Sequence, residues 1–229
     1  MALTFEAAAI RLDDFHLTAD WQAEAGERIA LIGPSGAGKS TLLMALAGFV
    51  PLAAGAIRWN GRDLTSLPPA ERPVATLFQE QNLFPHLTVA QNLGLGLSPR
   101  LRLDKAQTAR LAEVLERVGL AGMETRRPAQ LSGGQQGRAA LARALLQGRP
   151  ILTLDEPFAA LGPKLKADML DLVTEVTTGI TVLMVTHDPA DARRFARRTV
   201  VVADGVAHPP APTQALLDDP PPALRDYLG

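Results

Sequence analysis

Apolar positions along the chain change period several times, and each change predicts a different element. Arg28-Ile29-Ala30-Leu31-Ile32 is a continuous apolar run of strand length. A glycine-rich stretch follows it, and then Thr41-Leu42-Leu43-Met44-Ala45-Leu46-Ala47 predicts a helix that Gly48 ends. Gly55-Ala56-Ile57-Arg58-Trp59-Asn60-Gly61 predicts a strand entering an Asn-Gly hairpin turn, and hence an antiparallel sheet. Val74-Ala75-Thr76-Leu77-Phe78 predicts another strand. Over residues 104–118 the period turns helical: Leu111, Val114, Leu115 and Val118 form one stripe, Asp104 caps the start and Gly119 marks the stop. A further helix is expected over residues 135–147.

Toward the C-terminus, Ile151-Leu152-Thr153-Leu154 and Ile180-Thr181-Val182-Leu183-Met184-Val185 flank a helical segment near residues 164–178, the pattern of a parallel βαβ unit. Asp188-Pro189 supplies an N-cap and a first-turn proline for a helix after that second strand. Thr199-Val200-Val201-Val202-Ala203, Asp204-Gly205 and Val206-Ala207 predict a closing hairpin. From His208 the chain is proline-rich and is expected on the surface, with a short helix near residues 223–228. Repeats and low-complexity tracts are absent. One α/β domain emerges, with a helical insertion between about residues 83 and 149.

The glycine-rich stretch carries the chemistry. Gly33-Pro34-Ser35-Gly36-Ala37-Gly38-Lys39-Ser40 fits the loop G-x-x-x-x-G-K-[ST] at every fixed position, between a strand and a helix as that motif requires. Glycines let successive N–H groups turn toward phosphate oxygens, and the helix start, with Thr41 in its first turn, adds its positive dipole end. Lys39 would reach the β- and γ-phosphates of a nucleoside triphosphate, and the Ser40 hydroxyl would ligate Mg²⁺. Asp155-Glu156 directly follows an apolar strand. Alone, such a pair is as readily a surface turn; beside this loop, Asp155 would hold Mg²⁺ and Glu156 would polarise the attacking water. Ser132-Gly133-Gly134-Gln135 joins an N-cap serine to two glycines, a second helix start whose N–H groups could read an anion, or simply a flexible cap.

Composition narrows the class. With 229 residues and a net charge of -1, bulk charge does not favour a nucleic-acid partner. With no cysteine, disulfides, zinc–thiolate sites and a cysteine nucleophile are excluded. No signal peptide and no membrane-spanning stretch are expected, so a membrane role must run through a partner.

The phosphate loop, Gln79, Leu131-Ser132-Gly133-Gly134-Gln135, Ile151-Leu152-Thr153-Leu154-Asp155-Glu156 and His187, in that order, resemble the ATP-binding subunits of ABC transporters over nearly the whole chain. The resemblance implies a P-loop NTPase fold: a RecA-like α/β core, an antiparallel β subdomain and a helical subdomain. It implies ATP and Mg²⁺ as cofactors, and two subunits closing head-to-tail on two ATP molecules. Each site would join one chain's phosphate loop to Leu131-Ser132-Gly133-Gly134-Gln135 of the other. Gln79 would approach Mg²⁺ and the attacking water, and His187 the γ-phosphate. A permease and, indirectly, a substrate-binding protein would be partners, at the cytoplasmic face of the inner membrane.

Leu67-Pro68-Pro69-Ala70-Glu71-Arg72-Pro73-Val74, Leu77-Phe78-Gln79-Glu80-Gln81-Asn82-Leu83-Phe84 and His86-Leu87-Thr88-Val89-Ala90-Gln91-Asn92-Leu93-Gly94-Leu95-Gly96-Leu97 are similar to the ATPases of bacterial thiamine importers. Those also lack the C-terminal domain that many importer ATPases carry. Import of another solute and export or lipid extraction are the alternatives. Against a soluble ABC ATPase of DNA repair or translation stands the lack of a coiled-coil insert or a tandem cassette. Three positions depart from the family pattern. Leu161-Gly162-Pro163 replaces Leu-Asp-Pro, Gly137 sits inside a helix, and the aromatic that stacks on adenine is missing, leaving Phe15 or Leu12. Trp21 is expected in the core or on a sheet surface.

Overall fold

The computed structural model describes residues 2–79, 82–222, 224 and 225. The chain divides into two compact units, one comprising Met1–Val74, Pro150–Glu156 and Gly179–Gly229, the other Ala75–Arg149 and Pro157–Thr178.

In the first unit, β1 (Ala2–Leu12) and β2 (Phe15–Glu24) form a long antiparallel hairpin turning at Asp13-Asp14. Along β2, Leu17, Ala19, Trp21 and Ala23 point inward at period two, and the Trp21 ring lies 4.4 Å from that of Phe5. In β1 the register shifts between Phe5 and Ala8, where Ala7 adopts φ 42° and its N–H donates to Asp20 Oδ1 at 3.2 Å. The bulge moves the inward phase by one residue, which is why this hairpin is absent from the elements expected above.

The chain continues through β3 (Arg28–Ile32), α1 (Lys39–Ala47), β4 (Ala54–Trp59) and β5 (Arg62–Asp63), the last pair closed by Asn60 and Gly61 at φ 51° and 80°. Next come β6 (Val74–Leu77), α2 (Val89–Gly94), α3 (Lys105–Arg117) and α4 (Gly133–Leu146). The remainder is β7 (Ile151–Asp155), α5 (Pro163–Val176), β8 (Thr181–Val185), α6 (Pro189–Phe195), β9 (Arg198–Ala203), β10 (Val206–Ala207), β11 (Ala211–Pro212) and α7 (Thr213–Asp218).

Within the first unit the strand order is β5-β4-β1-β2-β10-β9-β3-β8-β7, with β11 on β9. β3 is parallel to both β8 and β9, and β7 is parallel to β8. These strands are almost wholly buried, so they read as unbroken apolar runs, as parallel strands covered on both faces do. β10 joins the parallel half to the antiparallel half, pairing Val206 with Thr18 on one side and Ala203 on the other. Leu42, Leu43 and Leu46 of α1 enter one core with Leu3, Phe5, Leu17, Ile29 and Leu183.

A buried cation anchors the far end of α1. Arg72, 3% exposed, donates to Ala45 O at 2.7 Å and Leu46 O at 3.0 Å, and also to Thr65 O and Leu67 O. Carbonyls at a helix C-terminus carry the negative end of its dipole, so they offset part of the desolvation that lowers the guanidinium's pKa. Gly48 is required twice over: its φ is 87°, and a Cβ there would lie 2.5 Å from Arg72 Nε.

In the second unit, α3 opens on a capping box between Asp104 and Gln107, and its stripe of Leu111, Val114 and Leu115 is buried. Asn92, fully buried, accepts from Phe84 N–H and donates to the carbonyls of Phe84, Leu87 and Thr88, fixing that loop.

Three expectations are corrected. α4 begins at Gly133 rather than at 135, because Ser132 caps it and both glycines adopt helical geometry. The tail is not merely superficial: β11 pairs with β9 and Thr213, Leu217 and Leu224 are buried. α5, the helix between the parallel strands β7 and β8, groups with the helical unit and packs on α4. The helix expected near 223–228 falls mostly outside the described residues.

Candidate nucleotide site

β3 ends at Ile32 and feeds directly into the glycine-rich loop, and α1 begins at Lys39, so Gly33 to Gly38 form the connection between them. Gly33, Gly36 and Gly38 have φ of 146°, 77° and 101°, values that side-chain-bearing residues rarely adopt. Two are also pressed against the fold. A Cβ at Gly33 would collide with Val202 O on β9, and one at Gly38 would lie 2.5 Å from Phe15 Cζ. Gly38 occupies the N-cap of α1, and no side chain caps the first-turn N–H groups among the described residues.

Lys39 is 8% exposed and folds back over its own loop, donating through Nζ to Gly33 O and Pro34 O at 2.8 Å each. Burial lowers its pKa, and the charges of Glu156 and Asp155 oppose that shift. Ser40 Oγ donates to Asp155 Oδ1 at 2.9 Å, which joins the helix start to the end of β7. Burial raises the Asp155 pKa against the Ser40 hydrogen bond. A cation beside the carboxylate would oppose that rise. A hydroxyl beside one carboxylate fits Mg²⁺, a hard ion that takes oxygen donors and keeps water and phosphate as its other ligands.

Glu156 follows at φ 44°, a conformation uncommon for glutamate, with its N–H donated to Val185 O of β8. Its Oε2 stands 3.5 Å from His187 Nδ1. Residues 33–40, Asp155, Glu156 and His187 are thus gathered at the C-terminal ends of β3, β7 and β8 in one unit. Asp188 caps α6 by accepting from Ala190 N–H, so His187 is not needed for the helix start.

Gln79 and Ser132-Gly133-Gly134-Gln135 belong to the second unit, Gln79 exposed in the turn after β6. Ser132 Oγ accepts from Gln135 N–H at 3.3 Å and Gln135 Oε1 accepts from Ser132 N–H at 2.9 Å. The two glycines differ in kind. Gly133 has room for a side chain, whereas a Cβ at Gly134 would lie 2.9 Å from Leu165 Cδ2 of α5.

The family model described as ABC transporter matches residues 17–159, which takes in the loop, the capped start of α4 and Asp155-Glu156. The chain belongs to the ABC transporter family. Its relatives include the "Thiamine import ATP-binding protein ThiQ" of Cereibacter sphaeroides, 68% identical over 229 residues and 99% of each chain. Among solved structures, an ATP-binding cassette of an ABC transporter in its ADP conformation superposes with a TM-score of 0.90 at 26% identity, over 100% of this chain and 99% of that one. A dimeric ATP-binding cassette in a post-hydrolysis state with ADP and Pi gives a TM-score of 0.75 at 29% identity, over 93% of this chain and 99% of that one. As an ABC transporter ATPase, this chain binds and hydrolyses ATP. Among the described residues no helix is long and apolar enough to cross a membrane.

Sequence reasoning missed the place of two residues. Phe15 packs its ring on the phosphate loop at Gly38, while Leu12 at the end of β1 is 40% exposed. Arg72 anchors α1, and only its position before an apolar strand hinted at burial.

Proposed function

We propose that the chain is the ATP-hydrolysing subunit of a thiamine importer, acting as a homodimer beneath a membrane permease. The observation that carries this reading is identity of 68%, end to end, with a protein named for thiamine import. The dimeric cassette among the structural relatives supports the two-subunit state. The subunit would sit peripherally at the cytoplasmic face, with a substrate-binding protein reaching it only through the permease.

In this reading the backbone N–H groups of residues 33–41 bind the phosphates, with Lys39 releasing Gly33 O and Pro34 O to reach the β- and γ-oxygens. Ser40 and Asp155 would hold Mg²⁺, and Gln79 is assigned to the same ion by the family resemblance. The bound ion supplies charge neutralisation on the phosphate oxygens. Glu156 takes the proton of the attacking water, and His187 contacts the γ-phosphate while holding the Glu156 carboxylate. Ser132, Gly133, Gly134 and Gln135 of a second copy complete the cradle. Either the Phe15 ring or the exposed Leu12 side chain faces the base.

Deleting the gene should abolish high-affinity thiamine uptake and leave maltose, molybdate and polyamine uptake intact. Complementation with Glu156→Gln should fail to restore uptake while the purified protein accumulates as an ATP-bound dimer. Undiminished thiamine uptake in a strain with no second thiamine transporter would overturn the cargo. An active, monomeric Glu156→Gln protein would overturn the role of the glutamate.

A further inference from the structure

We propose that the first unit holds a second anion site, at the start of β3, that takes a soluble phosphate compound. β3 ends in the phosphate loop, and Arg28 begins the strand at its opposite end. There a cavity of about 560 Å³ is lined by Glu24, Glu27, Arg28, Arg197 and Arg198. That volume lies within the range of small-molecule sites.

The charges divide into a spent pair and an unspent one. Arg198 Nη1 donates to both carboxylate oxygens of Glu27, at 3.0 and 3.2 Å, and its Nε and Nη2 donate to Pro210 O. Glu27 also accepts from Glu24 N–H at 2.9 Å, so its carboxylate is satisfied within the wall. Arg28 uses only Nε, donating to Phe195 O at the end of α6 at 3.1 Å, which pins its plane and leaves its terminal nitrogens without a protein acceptor among the described residues. Arg197 is exposed, and its guanidinium has no acceptor among the described residues. Two guanidinium forks with free donors therefore line one cavity against a single uncommitted carboxylate, that of Glu24.

The wall is also built rather than loose. The turn between β2 and β3 is tied by Gly26 N–H to Thr181 Oγ1 at 2.9 Å, by Glu27 N–H to Glu24 O and by Val182 N–H to Glu27 O. A guanidinium presents paired donors that match phosphate oxygens, and two such groups select a multiply charged anion over a monoanion. The one free carboxylate, that of Glu24, repels the anion and opposes part of this attraction.

The probe is pyrophosphate, titrated calorimetrically into protein whose phosphate loop is already saturated with Mg²⁺ and ADP, and separately into Lys39→Ala protein. One remaining site is expected in both. Arg197→Glu, at a side chain with no protein bond to lose, should weaken it at least tenfold, and Arg28→Gln should weaken it comparably. Glu24→Gln should tighten it, while Arg62→Glu, on β5 and away from the cavity, should leave it unchanged. Absence of binding to the ADP-loaded protein, or equal affinity in wild type and Arg197→Glu, would overturn the proposal.

Discussion

Two helix starts in this chain are suited to anions, and they are built in opposite ways. α1 begins after a left-handed glycine with no side-chain cap, so its first-turn N–H groups are left for something outside the chain. α4 begins with a reciprocal capping box in which Ser132 and Gln135 satisfy each other, leaving only Gly133 and Gly134 with open N–H groups. The first start leaves donors for a ligand: its lysine occupies itself with loop carbonyls, and burial raises the pKa of the neighbouring aspartate. The second is complete as a helix and has anion capacity to spare. A primary binding site must leave its donors unsatisfied, whereas the surface proposed to meet nucleotide bound by a second copy has to persist alone.

The largest effect follows from breaking the uncapped start. Lys39→Ala removes the only side-chain cation of the loop and leaves Gly33 O and Pro34 O without their donor. Charge-assisted hydrogen bonds contribute about 1.5–3 kcal/mol each, so two lost contacts to phosphate imply a fall in ATP affinity of about a hundredfold or more. Equilibrium binding of a fluorescent ATP analogue reads this directly. Equal affinity in the variant would remove the contrast between the two helix starts.

Breaking the self-sufficient start should act on a different quantity. Ser132→Ala deletes the cap of α4 and should lower stability by about 1 kcal/mol in chemical denaturation. ATP affinity of the isolated subunit should not change. A loss of nucleotide affinity in the monomer would show that Ser132 serves its own chain's site.

The smallest effect sharpens the comparison at a third helix start. Gly162 is the N-cap of α5 in extended geometry, with φ -64°, ψ 158° and no side-chain cap, and a Cβ there meets nothing within 4 Å. Gly162→Asp therefore fits without strain and can accept from the first-turn N–H groups. It should stabilise α5 by a few tenths of a kcal/mol and raise hydrolysis in the assembled transporter a few-fold. Thermal denaturation and steady-state turnover of both forms check it. Unchanged or lower turnover would show that a capping carboxylate at this helix start does not limit hydrolysis.

Legibility followed signal type. The phosphate loop, the Asn-Gly and Asp-Gly turns, the α3 stripe and the parallel strands rest on patterns local to a few residues, and all stand where the sequence put them. The β1–β2 hairpin is harder to see in the sequence. Its bulge at Ala7 breaks the alternation in β1, and its turn, Asp13-Asp14, lacks glycine. Clean alternation from Leu17 to Ala23 in β2 was nonetheless available. Of the candidate site, residue identity was readable and mutual geometry was not. Nothing in the sequence shows Lys39 turned back on Gly33, Phe15 against Gly38, or Ser132 and Gln135 engaged with each other.

The place of β3 bears on how this protein is made. Among the described residues its strand neighbours are β8 and β9, both distant from it in sequence. As the polypeptide leaves the ribosome, the phosphate loop emerges well ahead of Thr181–Val185 and Arg198–Ala203, the strands that its own strand pairs with. Pairings so distant in sequence close slowly, because the chain entropy is lost before the contacts form. Until then an apolar segment such as Ile29-Ala30-Leu31-Ile32 stays uncovered and open to association with other chains. Gly33 itself packs against Val202 of β9, so the phosphate loop reaches the packing seen here only after that distant strand is in place.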